Sequence, residues 1–160
     1  MKKVCLYSIF CFLIDFLVKL VIKTKLNLYE SIVVIPNFFS LTFVYNEGAA
    51  FSILEGKKVF LVLLGLILIT ILFLYLRKEK LTNYKITYYS LLIGGILGNM
   101  YDRIFHPGVI DFFDFKLFSY DAPIFNLADT FIVIATILII LEGVIKYGNS
   151  SREKWRFKNR

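Results

Sequence analysis

The chain has 160 residues, 58% of them hydrophobic with glycine left aside, a formal net charge of +7 and a mean hydropathy of +0.71. A soluble domain of this size shows roughly 45–50% apolar residues with glycine counted, and one small core cannot hide a larger share. Composition therefore excludes an ordinary soluble enzyme, a disordered chain and a disulfide-stapled module, and points to a small integral membrane protein.

A bilayer core takes about 20 apolar residues in helix. Four stretches qualify, at about residues 4–22, 59–76, 86–101 and 126–145. The first follows Met1-Lys2-Lys3 but has no small-x-small cleavage site, and Asp15 interrupts it, so it is an uncleaved span rather than a signal peptide. Cys5 and Cys11 lie too close together to staple a useful loop and serve as apolar filling. Lys2, Lys3, Arg77, Lys78, Lys80, Lys85 and the tail bases from Lys146 to Arg160 fall on one side of these spans. Lys23, Lys25, Lys57, Lys58, Arg103 and Lys116 form the smaller set on the other. The larger set belongs inside, which puts both termini in the cytoplasm. Trp155 and Phe157 among the tail bases suit an anionic membrane surface, with nucleic acid as the competing partner.

The segment between the first two spans has strand chemistry at about residues 28–56. Ile32-Val33-Val34-Ile35 is β-branched, Pro36-Asn37 is turn chemistry, and Phe39, Leu41, Phe43 and Tyr45 alternate with Ser40, Thr42, Val44 and Asn46. The expected fold is an all-α membrane protein of four transmembrane helices with a small external β-rich element between spans 1 and 2. A single four-span membrane domain covers 1–147 and a basic cytoplasmic tail covers 148–160.

Charged groups inside a span cost several kcal/mol, on the order of 2.5–3.5 by insertion scales, so each needs a reason. Asp15 and Lys19 stand at i, i+4 in the favourable order for a structural ion pair. Gly94-Gly95-Ile96-Leu97-Gly98 holds a small-xxx-small packing step. Asn99, Asp102 and Arg103 follow on one helical face, and Asp102 with Arg103 is also readable as local charge cancellation. Val109-Ile110-Asp111-Phe112-Phe113-Asp114 then sets carboxylates among large apolar residues. Pro123 opens the fourth span, where Asn126 and Asp129 share a face at i, i+3. Asp129 is either a first-turn carboxylate favoured by the helix dipole or part of a site.

Asp111 and Asp129 should lie at one depth, near the outer membrane boundary. Two carboxylates in a low-dielectric site do not readily both ionise, so one can act as general base on water and the other as general acid. This is aspartic-protease chemistry, and it requires no metal or cofactor. His106 is the one histidine, so a zinc site built on paired histidines is excluded, and no G-x-S-x-G elbow exists. A Ser52–Lys57 or Ser52–Lys58 pair lacks the surroundings of an activated nucleophile.

These residues resemble the lipoprotein signal peptidase family, the type II signal peptidases of bacteria, along nearly the whole chain. Four blocks carry the likeness in order: Asn46-Glu47-Gly48-Ala49-Ala50-Phe51, the run from Gly94 to Arg103, Val109-Ile110-Asp111-Phe112, and Phe125-Asn126-Leu127-Ala128-Asp129. The resemblance implies a catalytic dyad of Asp111 and Asp129. It implies supporting or substrate-binding roles for Asn46, Gly48, Asn99, Arg103 and Asn126, with Asp15, Lys19 and Asp102 structural. It also implies that the external β segment is the family's β-cradle on the outer leaflet. The implied substrate is a prolipoprotein whose cysteine carries diacylglycerol, cut N-terminal to that cysteine. Membrane lipid and globomycin-type inhibitors are further expected partners, and a monomer in the bacterial cytoplasmic membrane is the expected state. The family's first block departs here: Val18 stands where a hydroxyl is usual and Phe16 where Gln is frequent. Thr130 replaces the usual Ser after the last aspartate. A proton-relay transporter is the rival class, and it would place its acids near mid-span, where Asp15 alone fits. A catalytically silent homologue is a third reading, which the intact Asp111 and Asp129 oppose.

Overall fold

The computed structural model describes residues 1–49, 53–117 and 120–158. Ala50 and Phe51 of the first block, Ser52 and Arg160 lie outside the described residues, as do the side chains of the tail from 149 onward. The elements are α1 (Lys2–Lys25), β1 (Ser31–Ile35), β2 (Phe39–Asn46), α2 (Lys58–Leu76), α3 (Asn83–Phe105), β3 (Val109–Leu117), β4 (Tyr120–Asp121) and α4 (Leu127–Lys158).

Helix α1 buries Val4, Ser8, Cys11, Asp15, Lys19 and Ile22, one stripe at the helical period. Leu6, Phe10, Leu13, Leu17 and Leu20 stay exposed. The polar stripe therefore faces inward and the apolar surface outward, the reverse of a soluble amphipathic helix and the pattern a lipid solvent selects. Helix α2 buries Gly65 and Leu76 alone and packs on α3. By length and hydropathy, three helices qualify to cross a bilayer: α1, α2 and the Leu127–Gly148 part of α4.

The third expected span, α3, does not meet that measure, and its position explains why. It packs against α1, α2 and α4 and buries Ser90, Gly94, Gly95, Gly98, Asn99 and Asp102. A helix surrounded by other helices needs small and polar contact residues more than lipid-facing ones. A Cβ at Gly94 would come within 2.5 Å of Cys11 Cβ on α1, and one at Gly95 within 2.5 Å of the Ala128 carbonyl oxygen on α4. The two glycines thus let α3 touch both neighbours at backbone distance.

The β element is larger than expected and draws on two connections. The strands form one antiparallel sheet in the order β1-β2-β3-β4, so the segment after α3 supplies strands as well as the segment after α1. The reason lies in the run Val109–Leu117, rich in β-branched and aromatic residues, which covers the edge that a β1–β2 hairpin would leave open. Asn37, at φ 60°, takes the left-handed turn position between β1 and β2 that asparagine tolerates. Ile22 and Leu26 at the end of α1 pack with Phe43, Ile110 and Phe112, which seats the sheet on the helix ends. Helix α4 runs unbroken past its apolar window, through the expected tail, to Lys158.

Candidate active site

Asp111 comes to the site from a strand and Asp129 from a helix. Along β3, Ile110 and Phe112 enter the apolar cluster beneath the sheet, and alternation turns Asp111 to the opposite face. The chain then returns beside β3: the Phe125 carbonyl accepts the Phe113 N–H at 2.7 Å, and the Phe113 carbonyl accepts the Phe125 N–H at 3.1 Å. That pairing delivers Asn126 alongside Asp111.

Asn126 caps α4, and Asp129 sits three residues on. The Asn126 Oδ1 accepts the Asp129 N–H at 2.8 Å, while Asp129 Oδ2 accepts the Asn126 N–H at 3.3 Å. This reciprocal arrangement is a capping box written with Asn and Asp. Asp129 is therefore a first-turn carboxylate and a member of the cluster at once.

Three asparagine side chains join the two carboxylates. Asn126 Nδ2 donates to Asp111 Oδ1 at 2.6 Å and to Asn99 Oδ1 at 3.1 Å. Asn46 Nδ2 donates to Asp111 Oδ2 at 3.0 Å, and Asn99 Nδ2 donates to Asp129 Oδ1 at 2.6 Å. Both oxygens of each carboxylate are thus fed by amide N–H groups. Among the described residues neither has an ion-pair partner. Asp111 is 1% exposed. Burial, then the Asp129 charge, push its carboxyl up to about 7, against the pull of the two asparagines.

Arg103 stands close by but spends its guanidinium on backbone: Nη2 donates to the Gly48 carbonyl at 2.6 Å and Nη1 to the Asn99 carbonyl at 3.3 Å. Gly48 N–H in turn donates to Asn46 Oδ1 at 3.0 Å, so the 46–49 loop is tied at both faces. Asn46, Asn99, Arg103 and Asp129 line a cavity of about 540 Å³ together with apolar residues that include Ile124, Ile132, Val133 and Ile134. The sequence does not single out these apolar lining residues, because isoleucine and valine on an apolar span carry no signal of their own.

The remaining sequence candidates form a second cluster. Lys19 Nζ lies 2.8 Å from both Asp15 Oδ2 and Asp102 Oδ2. Asp15 Oδ1 also accepts the Ala128 N–H at 2.8 Å, and Asp102 Oδ2 the Ile110 N–H at 3.1 Å. Asp102 is paired with α1 rather than with its neighbour Arg103. Asp114 stands apart on the sheet, accepting Thr42 Oγ1 at 2.7 Å. His106 meets Lys23 Nζ through Nε2 at 3.2 Å. No group of three or more His, Cys, Asp or Glu among the described residues is disposed to hold a metal ion.

The family model for "Signal peptidase (SPase) II" matches residues 7–145. A lipoprotein signal peptidase of Staphylococcus haemolyticus (strain JCSC1435) is 39% identical over 139 residues, covering 86% of this chain and 87% of the relative. One from Staphylococcus aureus (strain JH9) is 37% identical over 150 residues, covering 93% and 91%. A solved bacterial membrane enzyme, determined by the in meso method at 2.3 Å, superposes with a TM-score of 0.84 at 35% identity, covering 93% of this chain and 92% of the other. A second, at 1.9 Å, gives 0.78 at 36% identity over 89% of this chain. The match runs across the helices and the sheet alike, and the chain belongs to the signal peptidase II family.

Proposed function

We propose that this protein removes signal peptides from lipoproteins, cutting on the N-terminal side of a cysteine that carries diacylglycerol, with Asp111 and Asp129 activating water. The observation that carries the reading is the pair of carboxylates joined through Asn126 and Asn99, supplied with N–H donors and without an ion-pair partner among the described residues, with Asp129 lining an apolar cavity. A dyad in which one carboxyl is protonated and the other ionised can take a proton from water and return one to the leaving amine. No metal and no covalent intermediate is needed. The cavity volume falls within the usual range of about 300–1,000 Å³ for small-molecule pockets, and its apolar wall suits acyl chains.

In this reading α3 is a fourth span, about 34 Å long at 1.5 Å per residue, whose polar face is sheltered by its neighbours. Both termini then lie in the cytoplasm, and the sheet rests on the outer leaflet with the dyad at that boundary. Residues 1–147 act as one peptidase unit and 148–160 as a basic cytoplasmic tail. The chain works as a monomer in the bacterial cytoplasmic membrane, and globomycin-type peptides compete for the site. Asn46, Gly48, Asn99, Arg103 and Asn126 support the dyad and the unwound substrate backbone, while Asp15, Lys19 and Asp102 join α1 to α3.

The test is hydrolysis of one lipobox peptide with and without diacylglycerol on its cysteine, at equal concentration in detergent. Turnover of the modified peptide alone, suppressed by a globomycin-type inhibitor, is expected. Equal turnover of both would remove lipid recognition from the reading.

A further inference from the structure

Lys19 is 2% exposed, and its contacts do more than balance charge. Besides Asp15 and Asp102, its ammonium donates to Asn99 Oδ1 at 3.1 Å. The same oxygen accepts Asn126 Nδ2 at 3.1 Å. With two donors on its oxygen, the Asn99 amide has one workable orientation. Turned over, its NH2 would face an ammonium and a second NH2, and its oxygen would face the Asp129 carboxylate. As it stands, Nδ2 donates to Asp129 Oδ1 at 2.6 Å.

Asn46 and Asn126 are locked too, but by neutral backbone groups, the N–H of Gly48 and the N–H of Asp129. Asn99 alone has a buried cation behind its carbonyl. A cation on the oxygen polarises the amide and strengthens the hydrogen bond given by its nitrogen, and a stronger donor favours the charged form of the carboxylate that receives it. We propose that Lys19 is a positioning residue for the peptidase dyad, acting through Asn99 to keep Asp129 ionised and to leave the shared proton on Asp111. This rests on the dyad reading above.

Every charge facing Asp129 enters the balance. From α3, Arg103 favours its ionised form while directing its own N–H groups at Gly48 and Asn99. From β3, Asp111 opposes a second negative charge. On α1 and α3, Asp15 and Asp102 offset part of the Lys19 charge from its far side.

The chemical sequence follows. Asp129 takes a proton from water as the water oxygen bonds to the scissile carbonyl carbon, and Asp111 gives its proton to the carbonyl oxygen. The resulting diol collapses as the C–N bond breaks. Asp129 passes its proton to the departing nitrogen, and Asp111 recovers one from a diol hydroxyl. The products are an acid and an amine, and the dyad returns to its starting state.

The test is the pH profile of hydrolysis of the diacylglyceryl peptide over about pH 5 to 9, where the acidic limb reports ionisation of the base. Lys19→Met is made in an Asp102→Asn background, which removes one buried carboxylate together with the cation, and is compared with Asp102→Asn alone. The acidic limb should move up by about one unit, a loss of roughly tenfold at the acid end, while the alkaline limb, which reports loss of the Asp111 proton, stays in place. Lys19→Arg, which keeps the cation, should keep the limb of the unaltered protein. A uniform loss at every pH would overturn the proposal and leave Lys19 structural.

Infrared spectra supply a measurement independent of the Lys19 variants. The band of a buried protonated carboxyl, recorded near neutral pH, should vanish in Asp111→Asn. A band that survives Asp111→Asn and vanishes in Asp129→Asn would overturn the assignment. Failure of the dyad reading itself would look different, because hydrolysis would then survive Asp111→Asn or Asp129→Asn.

Discussion

Two clusters of carboxylates meet helix α3, one through Asp102 and the other through Asn99, and they differ in what answers the charge. On the α1 side, Asp15 and Asp102 share the Lys19 ammonium, each at 2.8 Å, and each accepts a backbone N–H besides. On the sheet side, Asp111 and Asp129 receive N–H groups from asparagine side chains and one backbone N–H, and among the described residues no ammonium or guanidinium pairs with either. The first arrangement sets a cation directly against its carboxylates. The second leaves a proton within reach of both carboxyls near neutral pH. In the proposed reading, placing the cation one amide away, behind Asn99, separates a structural cluster from one able to move protons.

The sharpest way to break this comparison is to remove proton transfer from one cluster. Asp111→Asn and Asp129→Asn should each lower hydrolysis by about 10²–10⁴-fold, and the double variant should lose little more than either single one, since the two act as a unit. Initial rates on the diacylglyceryl peptide, normalised to monodisperse folded protein, measure this.

Removing the cation from the other cluster should strike stability instead. Lys19→Met leaves Asp15 and Asp102 buried without their partner, which should cost about 3–5 kcal/mol. Thermal unfolding in detergent would read it as a large fall in midpoint or as loss of folded protein. Restoration by Asp102→Asn would tie the loss to the unpaired carboxylate, whereas an unchanged midpoint would contradict the structural role.

A third effect is smaller and carries a pH signature. The folded protein holds the Asp111 proton up to about 7, whereas the unfolded chain releases it near the ordinary value of roughly 3.9. Between those values the folded state binds more protons, so this residue's contribution to stability declines as pH rises. Asp111→Asn removes that decline. The variant should melt at the same temperature as the unaltered protein near pH 4 and higher above pH 7, each read to about a degree. A dead variant that is more stable at alkaline pH would show that the buried carboxyl is held against a folding cost.

Asp114→Asn should matter least. Its carboxylate accepts Thr42 Oγ1 on the sheet, and loss of that bond should cost about 1 kcal/mol with hydrolysis per folded molecule nearly unchanged.

Much of the site was legible in the sequence because its residues violate the lipid-facing rule. Asp15, Lys19, Asn99, Asp102, Asn126 and Asp129 are polar groups within apolar stretches, and such groups call for a partner. What spacing could not give was the partner. Asp102 lies next to Arg103 in sequence but bonds to Lys19, because an i, i+1 pair on a helix points to different faces. The strand β3 was hidden for a related reason. Its two carboxylates drew the run Val109–Leu117 toward chemistry, while its alternation, with Ile110 and Phe112 under the sheet and Asp111 above, is that of a strand. The apolar cavity wall of Ile132, Val133 and Ile134 was silent, since the same residues would serve to face lipid.

The most direct measurement compares turnover per folded molecule for Asp111→Asn and Asp102→Asn side by side. Both variants replace a buried carboxylate by its amide within one residue's reach of Ile110, so shape and burial are nearly matched and the surrounding charge differs. The expected result is a folded, inactive Asp111→Asn and an Asp102→Asn that expresses or melts poorly yet turns over substrate in its folded fraction. Near-normal turnover by folded Asp111→Asn, beside a folded but inactive Asp102→Asn, would contradict it and move the dyad to Asp102 with Asp129.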